Sequence, residues 1–401
     1  MIEMDTTQVT SALRTEFAGE LSSILSYWMD HAVDIQQGGF WGSVDNSNVP
    51  DPAAAKGVVL NSRILWTFSA AYNSEHHQPY LALATRAYRY IVDYFFDRKY
   101  GGVYWSVDSK GAMLNGRKQI YGLAFCIYGL AEYYKASGDE MALHICQHLF
   151  EQIETYSRDK KEGGYFEAFT QGWKPADDLR LSEKDNNEKK TMNTHLHIIE
   201  AYANLYSVWP DKKLLDSIRH LLEVFDKYFI DKKSFHIHLF MDEHWKSRSS
   251  LISYGHEIEA AWLLLTCAEA TGDETLINRF RDVGIHLVDA ASEGLDSDGG
   301  LWYEYEAENN HLIKEKHSWP QAEAMIGFLN AYQLTGDEKY MQQFTGVWEF
   351  TKKYIRDNKN GEWFWGVYAD HSIMPKEKAG FWKCPYHNSR ACMEILKRTS
   401  L

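Results

Sequence analysis

Four polar side chains follow one face of a predicted helix in the segment TMNTHLHIIEAYANLY, residues 191–206. They recur at helical spacing beside an ordinary apolar stripe: Asn193, His197, Glu200 and Asn204. A solvated face typically carries Lys, Gln or Glu instead. We therefore expect the Asn193 and His197 end to face a cleft, with Glu200 and Asn204 deeper in structural roles. His195 lies on another side of the helix and is interpreted as structural.

Two further histidines occur where a helix is predicted to begin. His256 stands three residues before Glu259 in SYGHEIEAAWLLL, so the two share a helix face. His387 follows Trp382 in GFWKCPYHNSRACMEIL, at the start of the last predicted helix. Histidine titrates near neutral pH and can therefore take and return a proton.

Other polar or aromatic residues interrupt apolar helical runs. Arg63 lies inside KGVVLNSRILWTFSAAY, and a buried arginine needs partners. In HSWPQAEAMIGF, Ser318 and Gln321 predict a capping box. That start would place Trp319 at the mouth of a helix and Glu323 one turn inside it.

Each of these residues also has a structural interpretation. A single inward histidine is more often a hydrogen-bonded core residue than a catalyst. Arg63 alone fits a structural clamp, and Trp319 and Trp382 fit core positions. The combination favours chemistry, because the three histidines lie in different sequence repeats and are expected to converge at one end of the fold.

Charge and composition limit the classes of partner. The net charge is −14 and Lys and Arg form no long cluster, which argues against nucleic acid and anionic membrane surfaces. No apolar run reaches transmembrane length, and residues 1–25 lack the basic and apolar regions of a secretory signal. The five cysteines are scattered, which is typical of reduced thiols in a cytoplasmic protein. No metal or nucleotide-cofactor motif occurs, so neither group is expected.

A repeat of about 62 residues runs along the chain. Its marker is a pair of glycines, or a near equivalent, followed by aromatic residues: GGFWG, GGVYW, GGYFE, GGLWYE and NGEWFWG. One member without glycines falls at SFHIHLFMDEHW, residues 234–245. A second marker, Gly-Asp in YYKASGDE, CAEATGDE and AYQLTGDE, predicts a helix C-terminus followed by the N-cap of the next helix.

Six helical hairpins of this length predict an all-α fold, an (α/α)6 barrel with six inner and six outer helices. The absence of a composition break predicts one catalytic domain over residues 1–401. The Gly-aromatic loops all follow the same helix of each unit, so they are expected to form a cleft at one end. An open helical solenoid is the alternative.

Five motifs carry a resemblance to a known family: KGVVLNSRILWTFSAAY, MNTHLHIIEAY, SYGHEIEAAWLL, WPQAEAMIGF and WKCPYHNSRACMEI. In order and along the whole chain, they resemble the cellobiose 2-epimerase branch of the N-acylglucosamine 2-epimerase superfamily. The resemblance also implies an (α/α)6 barrel. It implies interconversion of a glucose and a mannose unit at the reducing end of a sugar, without a cofactor.

The resemblance further implies roles for particular residues. His387 and His256 would form an acid/base pair, and His197 would assist near the reacting carbons. The sugar pocket would be lined by Arg63, Tyr121, Asn193, Glu259, Trp319 and Trp382. Removing the C2 proton of an aldose gives an enediolate, and inversion at C2 most simply needs an acid/base on each face. Arg63 and His197 would stabilise the enediolate oxygens, and Glu259 would set the tautomer of His256.

Alternatives remain beside this reading. The family's disaccharide enzymes commonly carry HWWPQAE, whereas this chain has Ser318 in place of the first Trp. A free D-mannose/D-glucose 2-epimerase and an aldose–ketose isomerase are therefore alternatives within the superfamily. A glycoside hydrolase using Glu259 and Glu323, or a non-catalytic sugar-binding protein, would belong to other classes. The sequence favours a cytoplasmic monomer that binds a small sugar.

Overall fold

Helices dominate the structure, a computed structural model that describes residues 6–400 and the side chains from residue 11 onward. The first five residues of the N-terminal segment analysed above lie outside the described part. The helices are α1 (Thr6–His31), α2 (Val58–Glu75), α3 (Gln78–Tyr90), α4 (Ile120–Ser137), α5 (Glu140–Gln152), α6 (Met192–Tyr206), α7 (Lys212–Val224), α8 (Tyr254–Thr271), α9 (Glu274–Ser292), α10 (Ser318–Thr335), α11 (Glu338–Phe350) and α12 (Tyr386–Arg398).

The even-numbered helices form a closed inner ring. Each contacts the next along the chain, from α2 to α12, and α12 then contacts α2. The odd-numbered helices pack outside, and α1 completes the sixth hairpin by pairing with α12. This arrangement is the predicted (α/α)6 barrel. The open-solenoid alternative is wrong, because its first and last inner helices would not touch.

The turns within the hairpins follow the Gly-Asp marker. Gly138 ends α4 in the left-handed conformation, with φ of 68°, and the Asp139 side chain accepts a hydrogen bond from the backbone of Met141 at the start of α5. Gly272 and Asp273 play the same parts between α8 and α9. The sequence prediction for these turns is confirmed.

Short strands carry the loops at one end of the barrel. They are β1 (Lys56–Gly57), β2 (Ser106–Val107), β3 (Met113–Asn115), β4 (Lys118–Gln119), β5 (Ala168–Phe169), β6 (Lys190–Thr191), β7 (Phe240–Met241), β8 (Leu251–Ser253), β9 (Glu304–Glu306), β10 (His311–Ile313), β11 (Lys316–His317) and β12 (Gly366–Val367). The antiparallel pairs β1–β2, β4–β5, β6–β7, β8–β9 and β11–β12 each join the strand before one inner helix to the following loop. The Gly-aromatic loops therefore surround the end at which the inner helices begin.

Five of the six loops are held by an ion pair between a buried lysine and an aspartate. The pairs are Lys56–Asp34, Lys118–Asp97, Lys190–Asp159, Lys316–Asp296 and Lys378–Asp357, with N–O distances of 2.5 to 2.8 Å. The repeat without glycines is the exception. Ile252 takes the lysine position there, and His236 bonds Glu257 instead, with 3.0 Å between Nδ1 and Oε1.

Buried apolar side chains from both rings form one continuous cluster. The five cysteines are buried within the fold as free thiols. Of the helices in the described chain, none is long and apolar enough to cross a membrane.

Candidate active site

A pocket of about 560 Å³ opens at the end of the barrel where the inner helices begin. It is lined by all nine residues that the sequence analysis assigned to the site: Arg63, Tyr121, Asn193, His197, His256, Glu259, Trp319, Trp382 and His387. They come from α2, α4, α6, α8, α10, α12 and the loop before α12. Closure of the inner ring is what brings them together.

His387 lies in the first turn of α12 and is held by a carboxylate. Its Nδ1 is 2.7 Å from Oε1 of Glu323 on α10. Burial raises the pKa of Glu323, and the hydrogen-bonded Arg390 opposes that rise. An ionised Glu323 only accepts hydrogen bonds, so Nδ1 then carries the hydrogen and the lone pair of Nε2 is free. Burial, followed by the charges of Arg63 and Arg390, lowers the pKa of His387 well below its ordinary value. His387 is therefore a neutral imidazole with one basic nitrogen available.

His256 lies in the first turn of α8 and is held by a hydroxyl. Its Nδ1 is 2.8 Å from Ser253 Oγ. A hydroxyl can donate or accept, so either neutral tautomer of His256 is satisfied. Burial lowers its pKa to about 3. The prediction that Glu259 sets this tautomer is wrong, because Glu259 Oε1 accepts from Arg390 at 2.7 Å.

Trp319 stands between these two histidines. It is the second residue of α10, the inner helix between α8 and α12. Its ring centroid is 4.7 Å from that of His256 and 5.5 Å from that of His387. The indole is thus a common wall for both rings.

The start of α10 differs from the prediction of a capping box. His317 is the N-cap residue, and it makes no side-chain capping bond. The Gln321 side chain instead accepts from the backbone N–H of Leu301 at 2.8 Å and donates to its carbonyl at 2.9 Å. Gln321 therefore fastens the preceding loop, an interaction between distant segments that local spacing does not reveal.

His197 on α6 is also held by a carboxylate. Its Nδ1 is 2.9 Å from Oε2 of Glu200, one turn further along the helix. Glu200 accepts from Tyr386 Oη at 2.6 Å and from Arg390. Although burial opposes its charge, Arg390 and then His197 lower the pKa of Glu200 to about 2. The prediction that Glu200 lies deeper than His197 is confirmed, and its role is to anchor polar side chains.

The other polar residues of this segment have structural partners, as predicted. His195 Nδ1 is 2.7 Å from the Thr191 carbonyl, and its Nε2 accepts from the Tyr165 backbone N–H at 2.9 Å. Asn204 donates to the Tyr128 carbonyl at 3.0 Å. Neither residue is among those that line the pocket.

Arg63 supplies a positive charge to the pocket from α2. It donates to Tyr121 Oη at 2.7 Å, and its guanidinium carbon lies 4.3 Å from the centre of the Phe125 ring. Its Nε has no hydrogen-bond partner among the described residues. The hydrogen-bond partners of its terminal nitrogens are the Tyr121 hydroxyl and Cys384 Sγ, at 3.8 Å, neither of which is a carboxylate, so its charge is available to an anionic group in the pocket.

Asn193 and Trp382 complete the predicted set. The side-chain oxygen of Asn193 is buried and lacks a hydrogen-bond partner within the described chain. The Trp382 ring lies 6.0 Å from Tyr121 and 5.8 Å from Trp105, which makes an aromatic wall. Aromatic faces and unpaired amide oxygens suit the apolar faces and hydroxyl groups of a sugar.

Arg390 is a central residue that the sequence analysis missed. One of its terminal nitrogens donates to Glu259 Oε1 and Glu323 Oε1, both at 2.7 Å. The other donates to Glu200 and to Tyr386 Oη. Arg390 lies three residues after His387 in the motif WKCPYHNSRACMEI. The reasoning applied to Arg63, that an arginine within a buried helix needs partners, could have identified it.

Glu259, Glu323 and His387 offer ligand atoms within 4.8 Å of one another, a spacing that suits a metal ion. Arg390 already donates to both carboxylates. The positive charge that this cluster requires is therefore supplied by the protein. Burial and the neighbouring Glu323 raise the pKa of Glu259 to about 7.

The outer part of the pocket is built from loops that the sequence analysis left unassigned. Lys184 Nζ donates to Tyr303 Oη at 2.5 Å and so connects two loops 119 residues apart in the chain. Further polar and aromatic side chains line this outer part: Asp185, Glu304, Glu315, Trp365 and Lys376. The Trp365 indole N–H is buried and has no partner among the described residues.

Comparison with known proteins identifies the family of this chain. The sequence profile of the family described as N-acylglucosamine 2-epimerase (GlcNAc 2-epimerase) matches residues 39–391. The chain belongs to the N-acylglucosamine 2-epimerase family. It is 46% identical over 386 residues to the cellobiose 2-epimerase of Bacteroides fragilis, a match that covers 96% of this chain and 98% of that protein.

Two other members of this family place the chain in its cellobiose 2-epimerase branch. The cellobiose 2-epimerase of Ruminococcus albus is 39% identical, with 96% of this chain and 98% of that protein covered. The solved structure of cellobiose 2-epimerase from Bacillus thermoamylovorans B4167 superposes with a TM-score of 0.92 at 39% identity. That match covers 97% of this chain and 100% of the other.

Proposed function

We propose that this chain epimerises the reducing-end sugar of a disaccharide at C2, interconverting a glucose and a mannose unit as in cellobiose. The observation that carries this proposal is the pair His256 and His387. They enter one pocket from helices on either side of α10, and both contact Trp319. Two acid/base groups in one aromatic-walled pocket match the need for proton transfer on both faces of C2.

The reaction follows from the protonation states of these residues. A neutral histidine takes the C2 proton of the open-chain aldose, and the electrons of the C–H bond form an enediolate across C1 and C2. The negative charge of the enediolate favours the imidazolium form of the other histidine. That histidine takes up a proton from solvent and delivers it to the opposite face of C2, which restores the carbonyl with inverted configuration, while the first histidine releases the abstracted proton to solvent. In the reverse direction the two histidines exchange roles.

Arg63 stabilises the charge that develops on the enediolate oxygens, because its guanidinium has no ionic partner among the described residues. Glu200 holds His197 through its Nδ1, so the other ring nitrogen of His197 accepts a hydrogen bond from a substrate hydroxyl near the reacting carbons. Charge-assisted hydrogen bonds from preorganised groups are the strongest contribution expected in a buried site of this kind.

The dimensions of the pocket support a disaccharide. A volume of about 560 Å³ lies within the range of pockets that hold drug-sized ligands, and its outer part carries Glu304, Glu315 and Lys376. These groups can bind the hydroxyls of a second sugar beyond the histidines. The relatives named as cellobiose 2-epimerases support the same substrate class.

The geometry does not favour a hydrolase. Glu259 and Glu323 share one nitrogen of Arg390 and lie on one side of the site behind His387. A hydrolase requires two carboxyl groups that flank the scissile bond, one of them free to act as the acid. The histidines would have no role in that chemistry.

Proton NMR of the enzyme in D₂O, with cellobiose in one sample and mannose in another, tests the proposal. We expect signals of the C2 epimer of cellobiose, deuterium at C2 and slower turnover of mannose. Faster turnover of mannose would reject the disaccharide preference. Ketose as the main product would indicate an isomerase, and release of glucose from cellobiose would indicate a hydrolase.

A further inference from the structure

One guanidinium joins the carboxylates that hold two of the pocket histidines. Arg390 donates through one terminal nitrogen to Glu200 and through the other to Glu323. Glu200 accepts from His197, with 2.9 Å between Oε2 and Nδ1, and Glu323 is 2.7 Å from His387 Nδ1. His256 has no part in this network, because its Nδ1 is bonded to Ser253.

We propose that Arg390 is a positioning residue, which keeps Glu200 and Glu323 ionised and in place and thereby fixes His197 and His387 in the same tautomer. Both rings then carry their hydrogen on Nδ1 and present an unprotonated Nε2. This inference rests on the proposed epimerase function for its kinetic consequence. Its structural consequence, the tautomer of each ring, holds whichever sugar the enzyme uses.

The shape of the guanidinium is what the network requires. The acceptors come from different elements: Glu200 from α6, Glu259 from α8, Glu323 from α10 and the Tyr386 hydroxyl from α12 itself. The guanidinium carbon lies 4.2 Å from the centre of the Tyr386 ring and 4.8 Å from that of Trp262. A planar fork satisfies this geometry, whereas a lysine ammonium is a single point charge.

The charges around His387 determine how substitution of Arg390 should change the pKa of this histidine. The positive groups near His387 are Arg63, Arg390 and the imidazolium forms of His197 and His256, and each of them disfavours a charge on His387. The negative groups are Glu323 and, at 4.0 Å from Nδ1, Glu259. Loss of the Arg390 charge should therefore raise the pKa of His387, whereas replacement by lysine should leave that pKa nearly unchanged.

Kinetics of Arg390→Lys and Arg390→Met test the proposal. For Arg390→Lys we expect kcat to fall about 100-fold with KM within about threefold, because the histidine rings lose their fixed orientation while the pocket remains. For Arg390→Met we expect the acidic limb of the kcat/KM profile to move to higher pH by about one unit. Arg398→Met is the matched control: Arg398 lies on the same helix, near the same Trp262, but bonds Glu394 and Asn330.

A second measurement covers the case in which the Arg390 variants do not fold. Nitrogen-15 NMR of the unmodified protein, with signals assigned through single histidine substitutions, reports the tautomer of each ring. We expect the Nδ1–H form for His197 and His387 between pH 7 and 8. An Nε2–H tautomer at His387, or full kcat in folded Arg390→Lys, would overturn the proposal. If the wild-type protein shows the expected tautomers but does not epimerise the sugars, the proposed epimerase function is rejected and the positioning role of Arg390 stands.

Discussion

His387 and His256 are the same residue type in the first turns of two inner helices, yet their surroundings differ. Glu323, an ionisable group tied to Arg390, holds His387. Ser253, a neutral hydroxyl with no charge behind it, holds His256. Burial lowers the pKa of both histidines. The two histidines of the proposed acid/base pair are therefore both desolvated, but only His387 has a carboxylate as its hydrogen-bond partner.

These unequal hydrogen-bond partners suit a site that works in both directions of an epimerisation. A carboxylate at Nδ1 fixes the ring and stabilises its imidazolium after proton uptake. A hydroxyl stabilises the imidazolium less but is satisfied by either neutral tautomer. We infer that His387 depends strongly on its partner, whereas His256 tolerates the loss of its own.

Removal of either imidazole should have the largest effect. For His387→Ala and His256→Ala we expect kcat to fall by about 10³- to 10⁴-fold, because each direction of the reaction needs an acid/base on both faces of C2. Proton NMR of the C2-epimer signals gives the rates, and circular dichroism checks folding. His244→Ala, at a side chain that is 63% exposed, is the control. Near-normal epimerisation by either folded variant would contradict the assignment of two bases.

Substitution of the hydrogen-bond partner should lower kcat more for His387 than for His256. For Glu323→Gln we expect kcat to fall about 100-fold, because the imidazolium of His387 loses its counter-charge. For Ser253→Ala the fall should be less than about tenfold, the worth of one neutral hydrogen bond. The same NMR assay measures both variants. Equal losses would show that the two histidines are supported alike.

Substitution of Glu259 should have a smaller effect, which appears in the pH dependence of the free energy of unfolding. Its pKa is about 7 in the folded protein, against 4.5 as its ordinary value. The folded state therefore binds more protons between these values, and this contribution to stability is lost as pH rises from 4.5 through 7. Relative to wild type, Glu259→Gln should gain about 3 kcal/mol more in the free energy of unfolding at pH 8 than at pH 5.

Urea denaturation at the two pH values measures this difference, since groups that do not interact with Glu259 titrate equally in both proteins and cancel. A difference that does not change with pH would show that Glu259 keeps an ordinary pKa. That outcome would mean that the charge of Arg390 fully offsets the effect of burial on Glu259.

The fold could be predicted from sequence because the turns of the repeat depend on residues that are close together in the chain. Gly138 and Asp139 end one helix and begin the next through backbone conformation and capping, which depend on neighbours in the chain. Even the atypical repeat keeps its place: Ile230 bridges Ile237 as Phe96 bridges Val103. The number of hairpins allowed closure into a ring but left the open solenoid as an alternative, and the contact between α12 and α2 decides between them.

The candidate residues could also be predicted, but their partners could not. Helical spacing correctly placed Glu200 beside His197, because both lie on α6. The same reasoning wrongly gave Glu259 to His256, since it ignored competition from Arg390, 131 residues away. Glu323 reaches His387 only because α10 and α12 are neighbours in the closed ring. Such pairings depend on tertiary geometry that spacing along one helix does not contain.

Closure of the ring by α12 has a consequence for folding of the chain during its synthesis on the ribosome. Arg63 and Cys384 meet in the pocket although 321 residues separate them in the chain. Until α12 has been translated, the newly made inner helices lack the neighbour that seals α2 against α10, and the pocket lacks both His387 and Arg390. A nascent chain therefore exposes apolar surface and has no activity for most of its synthesis. Catalysis begins only after translation has passed the last inner helix.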